Sequence, residues 1–295
     1  MHSTNMSDHR RLSILGVNVD PLTIDDAITK IIDRSQQKGS VFVVKPYVEF
    51  FREDYSKLLN QAWLSLPDGV ALQWAAHYQQ GPGTLRRLFT TLVSIVLRPE
   101  RIRHPVPDKF AGTNFTWPLL EAAAAHDRSV YLVGSPYHKN IDHTKKTIET
   151  GIADIDIVGT MPGRDESGGF SPNLEQKLLD DLQEKEPDIV LVGIGFPRQE
   201  MLMQRLAPKI KKGVLIGEGG TFDYRLFGGA HKKAPELMQR LGLEWFWRLL
   251  LQPSRVKRQF AIPKFIWRMY RFTKAGATQY HKVNLKKHKR VNKKL

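Results

Sequence analysis

The 295-residue chain contains no cysteine. Structural disulfides and thiolate metal sites are thereby excluded, and the chain is indifferent to redox compartment, with a reducing cytoplasm as the default. No window reaches about 18 unbroken apolar residues, which argues against a membrane-spanning helix. The opening MHSTNMSDHRR is polar and leads into no apolar run, so no secretory signal is read there. Acidic residues are scarce in one place. Residues 231–295 hold only Glu236 and Glu244 against 18 Lys plus Arg, whereas residues 1–230 hold 28 Asp plus Glu against 27 Lys plus Arg. The net charge of +15 therefore belongs to the C-terminal segment, and a polycation of this kind suits an anionic surface, either nucleic acid or anionic lipid.

What is present is an alternation of short β-branched runs with helical patterns. Strands are expected at Ser13–Val19, Val41–Val44, Trp63–Leu66, Val130–Val133, Ile155–Val158, Ile189–Val192 and Val214–Ile216. A helix after Thr23 has a capping residue and Asp25 and Asp26 in its first turn. Helices are also expected at 48–60, 70–78, 114–126, 137–150 and 174–185. Such alternation predicts an α/β fold with a mostly parallel sheet covered on both faces. Residues 85–97 carry an apolar run between basic flanks; they read as a buried or subunit-facing helix, or alternatively as a helix lying on a membrane surface. After Gly229 the strand pattern stops, helices with basic faces follow, and 281–295 read as a disordered basic tail.

Ligand chemistry in such a fold gathers where strands end in glycine. Gly134, Gly193, Gly195, Gly219 and Gly220 all lie at such ends. The Gly193 loop fails the six-residue dinucleotide spacing because Arg198 stands where the last glycine belongs. Pro197 is expected at the first helical position after it, presenting Gln199 and Glu200 as either capping groups or ligand contacts. Asp223 reads as a turn residue or as an acceptor for a sugar hydroxyl pair. Asp68, in Pro67-Asp68-Gly69, reads as a cap or turn residue or as a carboxylate able to take a proton from an attacking hydroxyl. The Asp154-Ile155-Asp156 triplet has a metal-site form but opens a strand, at the wrong sheet edge, and nothing else resembles a cation cage. Neither a metal nor a cofactor is expected. Arg248, Arg255 and Arg258 stand among Trp245, Phe246, Trp247, Trp267, Tyr270 and Phe272, a basic aromatic surface suited to a membrane interface, although Pro253 interrupts their helical spacing.

LPDGVALQW, VGIGFPRQE, GEGGTFD and KKAPELMQRLGLEWFWRLLLQPSRVKR, in this order and spacing, resemble the WecG/TagA/CpsF family of bacterial glycosyltransferases, over about Ser13 to Phe260. The resemblance implies a Rossmann-like core with a C-terminal appendage, and inverting, metal-free transfer of a sugar from a UDP-sugar to an undecaprenyl-diphosphate-linked glycan. It makes Asp68 the general base and puts Gln199 and Asp223 at the nucleotide-sugar site. It also implies that Arg248, Arg255 and Arg258 close over the diphosphate when the tail meets the membrane. Two departures touch the diphosphate or acceptor contacts: Lys45-Pro46-Tyr47 stands where many members read Thr-x-Asn, and Lys233 where many have Arg.

The expectation is a catalytic domain over 1–230, a basic membrane-associating appendage over 231–280 and the tail over 281–295. The activity expected is hexose transfer from a UDP-sugar in exopolysaccharide or capsule synthesis, on the inner face of the plasma membrane, with self-association left open. A nucleic-acid-binding protein using the same polycation is the rival, but it leaves Asp68 and the glycine loops without a role. A scaffold with a degenerate site is a third reading.

Overall fold

The computed structural model describes residues 11–51, 55–134, 141–166, 168–251, 253 and 256–291; the side chains of Arg240, Arg248, Lys257 and Arg258 and those after Gly276 lie outside it. The chain opens with strands β1 (Leu12–Ile14) and β2 (Val17–Val19), then α1 (Ile24–Ser35), β3 (Val41–Val44), α2 (Ser56–Leu59), β4 (Leu64–Ser65), α3 (Val70–Tyr78) and α4 (Leu85–Leu97). It continues through α5 (Gly112–Ala125), β5 (Val130–Val133), α6 (Ile141–Gly151), β6 (Ile157–Met161), α7 (Pro172–Lys185), β7 (Ile189–Val192), α8 (Arg198–Leu206) and β8 (Val214–Gly217). The last quarter holds α9 (Glu236–Arg240), α10 (Glu244–Leu251), α11 (Val256–Gln259) and α12 (Ala261–Val291).

Six strands form one sheet in the order β4-β3-β8-β7-β5-β6, and every pair in it is parallel. The Rossmann-like α/β expectation is met. Because side chains alternate across a strand, each strand feeds two cores. Phe42, Val44, Tyr131, Val133, Val190, Val192 and Leu215 pack with α3, α7, α8 and α12. Val43, Val130, Leu132, Ile189, Leu191, Val214 and Ile216 pack with α1, α5 and α6. Burial on both faces is why these strands read as unbroken apolar runs.

Three elements depart from the sequence reading. The single strand expected at Ser13–Val19 is a hairpin, because Leu15 and Gly16 both turn with positive φ (48° and 86°), the backbone a tight hairpin needs. The helix expected over 48–60 is a 3₁₀ turn at Val48–Phe51 followed by the four-residue α2. Helix α12 runs to Val291 through residues read as a disordered tail; no glycine or proline follows Gly276 to stop it, and Lys and Arg are good helix formers. The helix over 137–150 is seen from Ile141; 135–140 lie outside the described residues.

The first half of α12 is no detached appendage. Ala261, Phe265 and Met269 belong to the core shared with β3 and α3, Phe265 meets Phe51 edge-on at 5.0 Å, and the Arg268 guanidinium donates to the Phe51 carbonyl. Burying Phe265 and Met269 contributes roughly 1.5–3 kcal/mol each.

Candidate functional site

Parallel pairing brings the carboxyl ends of all six strands to one edge, and local contacts join the exit loops there. The Asp68 N–H donates to Pro46 O at 3.0 Å, tying the β4 exit to the β3 exit. Gly69, at φ +90°, is the cap residue of α3, and a Cβ there would touch the Tyr47 ring at 3.6 Å, so Tyr47 lies against the Asp68 loop. Asp68 itself is partly exposed. The neighbouring loop runs back onto the same place, with Phe110 N donating to Pro67 O at 2.8 Å.

Lys45 directly follows β3 and is buried. Its Nζ donates to Glu218 Oε2 at 2.7 Å, the Thr116 hydroxyl donates to the same oxygen at 2.6 Å, and the ammonium lies 5.4 Å from the centroid of Phe115. The charge of Lys45 is thus met by Glu218 inside the protein, and this pair joins the β3 exit to the β8 exit. Glu218 escaped the sequence reading although it stands in GEGG at a strand end; its signal was an acid placed between glycines where the chain turns inward.

Gln199 joins the next two loops. Its Oε1 accepts from the N–H of Gly195 and the N–H of Gly219, each at 3.0 Å, and its Nε2 donates to Glu200 Oε1 at 2.9 Å. Gln199 and Glu200 are both buried in the first turn of α8, which begins at Arg198 with Pro197 as its cap residue, one position earlier in the helix frame than expected. Gly217 leaves room for this amide: a Cβ on it would lie 2.6 Å from Gln199 Nε2 and push the side chain aside. Phe196 stacks on Phe50 with centroids 3.6 Å apart, holding the β7 loop to the 3₁₀ turn after β3. Gly193 N donates to Val133 O and Gly134 N to Met161 O, which carries the same edge on to β5 and β6.

Three buried carboxylates at this edge keep an oxygen without a hydrogen-bond partner among the described residues: Glu200 Oε2, Glu218 Oε1 and Asp223 Oδ1. Burial pushes the Glu200 carboxyl up to about 7, against the opposing donation from Gln199. Asp223 follows Gly219 and Gly220, with its carbonyl accepting from His231 N at 2.9 Å.

A cleft adjoins the edge, lined by Ala111, Thr113 and Asn114 at the start of α5, by Tyr224, and by Lys233, Gln239, Glu244 and Trp247 from the C-terminal part. Lys109 crosses it, donating to Gln239 O at 3.1 Å and pairing with Glu244. The turn between α9 and α10 reaches further: a Cβ on Gly242 would touch Val70, two residues after Asp68, at 3.1 Å. Lys233 is exposed at the cleft. Of the three arginines, Arg248 stands in α10 and Arg258 in α11, while Arg255 and the side chains of the other two lie outside the described residues. Asp154 and Asp156 precede β6 and so sit at the opposite edge. Among the described residues no three His, Asp or Glu side chains are grouped as a metal cage.

Comparison with known proteins places this geometry. A sequence model of the family described as Glycosyl transferase WecG/TagA/CpsF matches residues 12–98 and 91–279. An N-acetylglucosaminyldiphosphoundecaprenol N-acetyl-beta-D-mannosaminyltransferase of Bacillus spizizenii strain W23 is 25% identical over 273 residues, 89% of this chain and 93% of that one. A protein of the same name from Bacillus subtilis strain 168 is 27% identical over 254 residues, 84% of this chain and 85% of that one. With a family match that covers nearly all the described chain, this protein belongs to the WecG/TagA/CpsF family of glycosyltransferases.

Proposed function

We propose that the chain is an inverting, metal-independent transferase that moves a hexose from a UDP-sugar to a glycan carried on a polyprenyl diphosphate, in exopolysaccharide or capsule synthesis. The observation that supports it most is the meeting of the Asp68 loop, the two glycine loops held by Gln199 and the cleft under the C-terminal helices at one sheet edge. The names of the Bacillus relatives make N-acetylmannosamine the first sugar to try, and an N-acetylglucosaminyl diphosphate lipid the first acceptor.

In this reading an acceptor hydroxyl attacks the anomeric carbon on the face opposite UDP, and the Asp68 carboxylate takes the hydroxyl proton. The bond from the anomeric carbon to the β-phosphate oxygen breaks, UDP leaves with the electron pair, and configuration inverts. Lys233, Arg248, Arg255, Arg258 and those backbone amides of the two glycine loops that Gln199 does not hold stabilise the charge gathering on the diphosphate. The Oδ1 of Asp223, which has no partner among the described residues, suits a sugar hydroxyl, while Gln199 acts by holding the loops. The enzyme works as a peripheral protein on the cytoplasmic face of the plasma membrane, held by its basic C-terminal segment; among the described residues no helix is long and apolar enough to cross a bilayer.

The test is Asp68→Asn. Turnover of a UDP-hexose should fall about 10²- to 10⁴-fold while UDP still binds, as expected for loss of a general base. Near-wild-type turnover removes Asp68 from the reaction, and loss of turnover with EDTA present removes the metal-independent mechanism.

A further inference from the structure

Helix α4 is built with two apolar sides. Its inner side is fixed to the body: Leu88, Leu92 and Ile95 pack against the core, Thr91 is buried and accepts from Trp74 Nε1 at 3.0 Å, and Arg87 turns inward to the carbonyls of His77 and Tyr78. The outer side presents Leu85, Phe89, Val93, Val96 and Leu97, with Phe89 at 71% and Leu97 at 72% relative exposure. At about 100° per residue these five fall within an arc of roughly 120°. Of the first alternative read for 85–97, a buried or subunit-facing helix, full burial is therefore not what the chain builds.

The charge around this row selects its partner. Between Gly69 and Pro107 the chain has five arginines, and Glu100 is its one acid. Arg86, Arg98, Arg101 and Arg103 are all exposed at the two ends of the row. Two copies packed through this face by a two-fold axis would set one arginine cluster against another, which disfavours self-association. Anionic headgroups with acyl chains beneath them match both features, apolar centre and basic rims. The position agrees. Gly242 of the C-terminal part meets both Ile95 of α4 and Val70 beside the Asp68 loop, and the Gly83 backbone packs on Thr273 and Lys274 of α12. The row is thus a neighbour of both the basic segment and the reacting edge. The two pieces of the family match also meet at the end of α4, sharing residues 91–98.

We infer that α4 is an interfacial helix that inserts Leu85, Phe89, Val93, Val96 and Leu97 into an anionic bilayer surface, adding apolar anchorage to the electrostatic attachment by the C-terminal segment. This rests on the peripheral attachment proposed above. Because the chain has no cysteine, single-cysteine variants carry a label cleanly. Phe89→Cys, and Thr150→Cys on the exposed end of α6 as control, would each be labelled with an environment-sensitive fluorophore and mixed with phosphatidylethanolamine/phosphatidylglycerol vesicles. The expected result is brighter, blue-shifted emission at position 89 with no change at 150. Co-sedimentation with unchanged emission at both positions overturns insertion by α4 while sparing attachment by the tail. Failure of both labelled proteins to sediment with vesicles overturns both readings. A blue shift at 89 that grows with protein concentration in the absence of lipid assigns the face to a second copy and overturns the inference.

Discussion

Glu200 lies in the first turn of α8 with one oxygen taken by Gln199 and the other without a partner among the described residues. Burial favours its neutral form and raises it from 4.5 to about 7, so the folded state holds a proton that the unfolded chain releases. Stability from this group is complete below pH 4.5 and is lost as pH rises to about 7. Glu200→Gln, which copies the neutral form, should raise stability at pH 8 by roughly 3 kcal/mol and leave it unchanged at pH 4. Denaturant midpoints of both proteins at the two pH values check this; equal shifts at both would show that the carboxyl is not the titrating group. Lys45 is a second case where burial sets the role. A lysine at a strand end reads as a phosphate ligand, yet its ammonium is held by Glu218 from a strand more than a hundred residues away in the chain, a pairing no local pattern announces.

At the scale of elements, Gln199 is a staple between two loops. Removing its acceptor oxygen leaves the half-buried N–H groups of Gly195 and Gly219 without that partner, at no more than about 1 kcal/mol each where water can replace it. Gln199→Leu should therefore lower both the unfolding free energy and the affinity for UDP. A variant with weakened UDP binding and an unchanged denaturant midpoint would return Gln199 to the role of a plain ligand contact. The strands of the sheet, and with them this edge, were legible from the alternation of β-branched runs with helices, because strands covered on both faces must be apolar throughout. The 3₁₀ turn at Val48–Phe51 was not legible, since Val48, Phe50 and Phe51 with the acidic Glu49 between them read equally well as the start of a helix.

At the scale of the molecule, the charge boundary near residue 230 is not a structural boundary. Phe265 and Met269 lie in the main core, so a cut after Gly229 would remove core contacts of several kcal/mol from a protein whose total is typically about 5–15. A cut after Gly276 spares that core and removes seven Lys plus Arg and no acid. With each basic residue near an anionic surface contributing about 1 kcal/mol, the shortened protein should keep its melting temperature, bind anionic vesicles more weakly and show a shallower salt dependence. Unchanged vesicle binding would take the final residues out of the attachment.

From composition and pattern alone came the α/β class, the edge that gathers Asp68 with the glycine loops, and the segregation of charge; each follows from residue types and their order along the chain, with no knowledge of which segments touch. Tertiary structure alone decided that Lys45 faces Glu218, that Gln199 bridges two loops, that α12 begins in the core and that the apolar row of α4 stays uncovered. The physical reason is that partner and burial belong to the packed chain: the same lysine, glutamine or leucine has a different role according to what distant strands and helices bring against it.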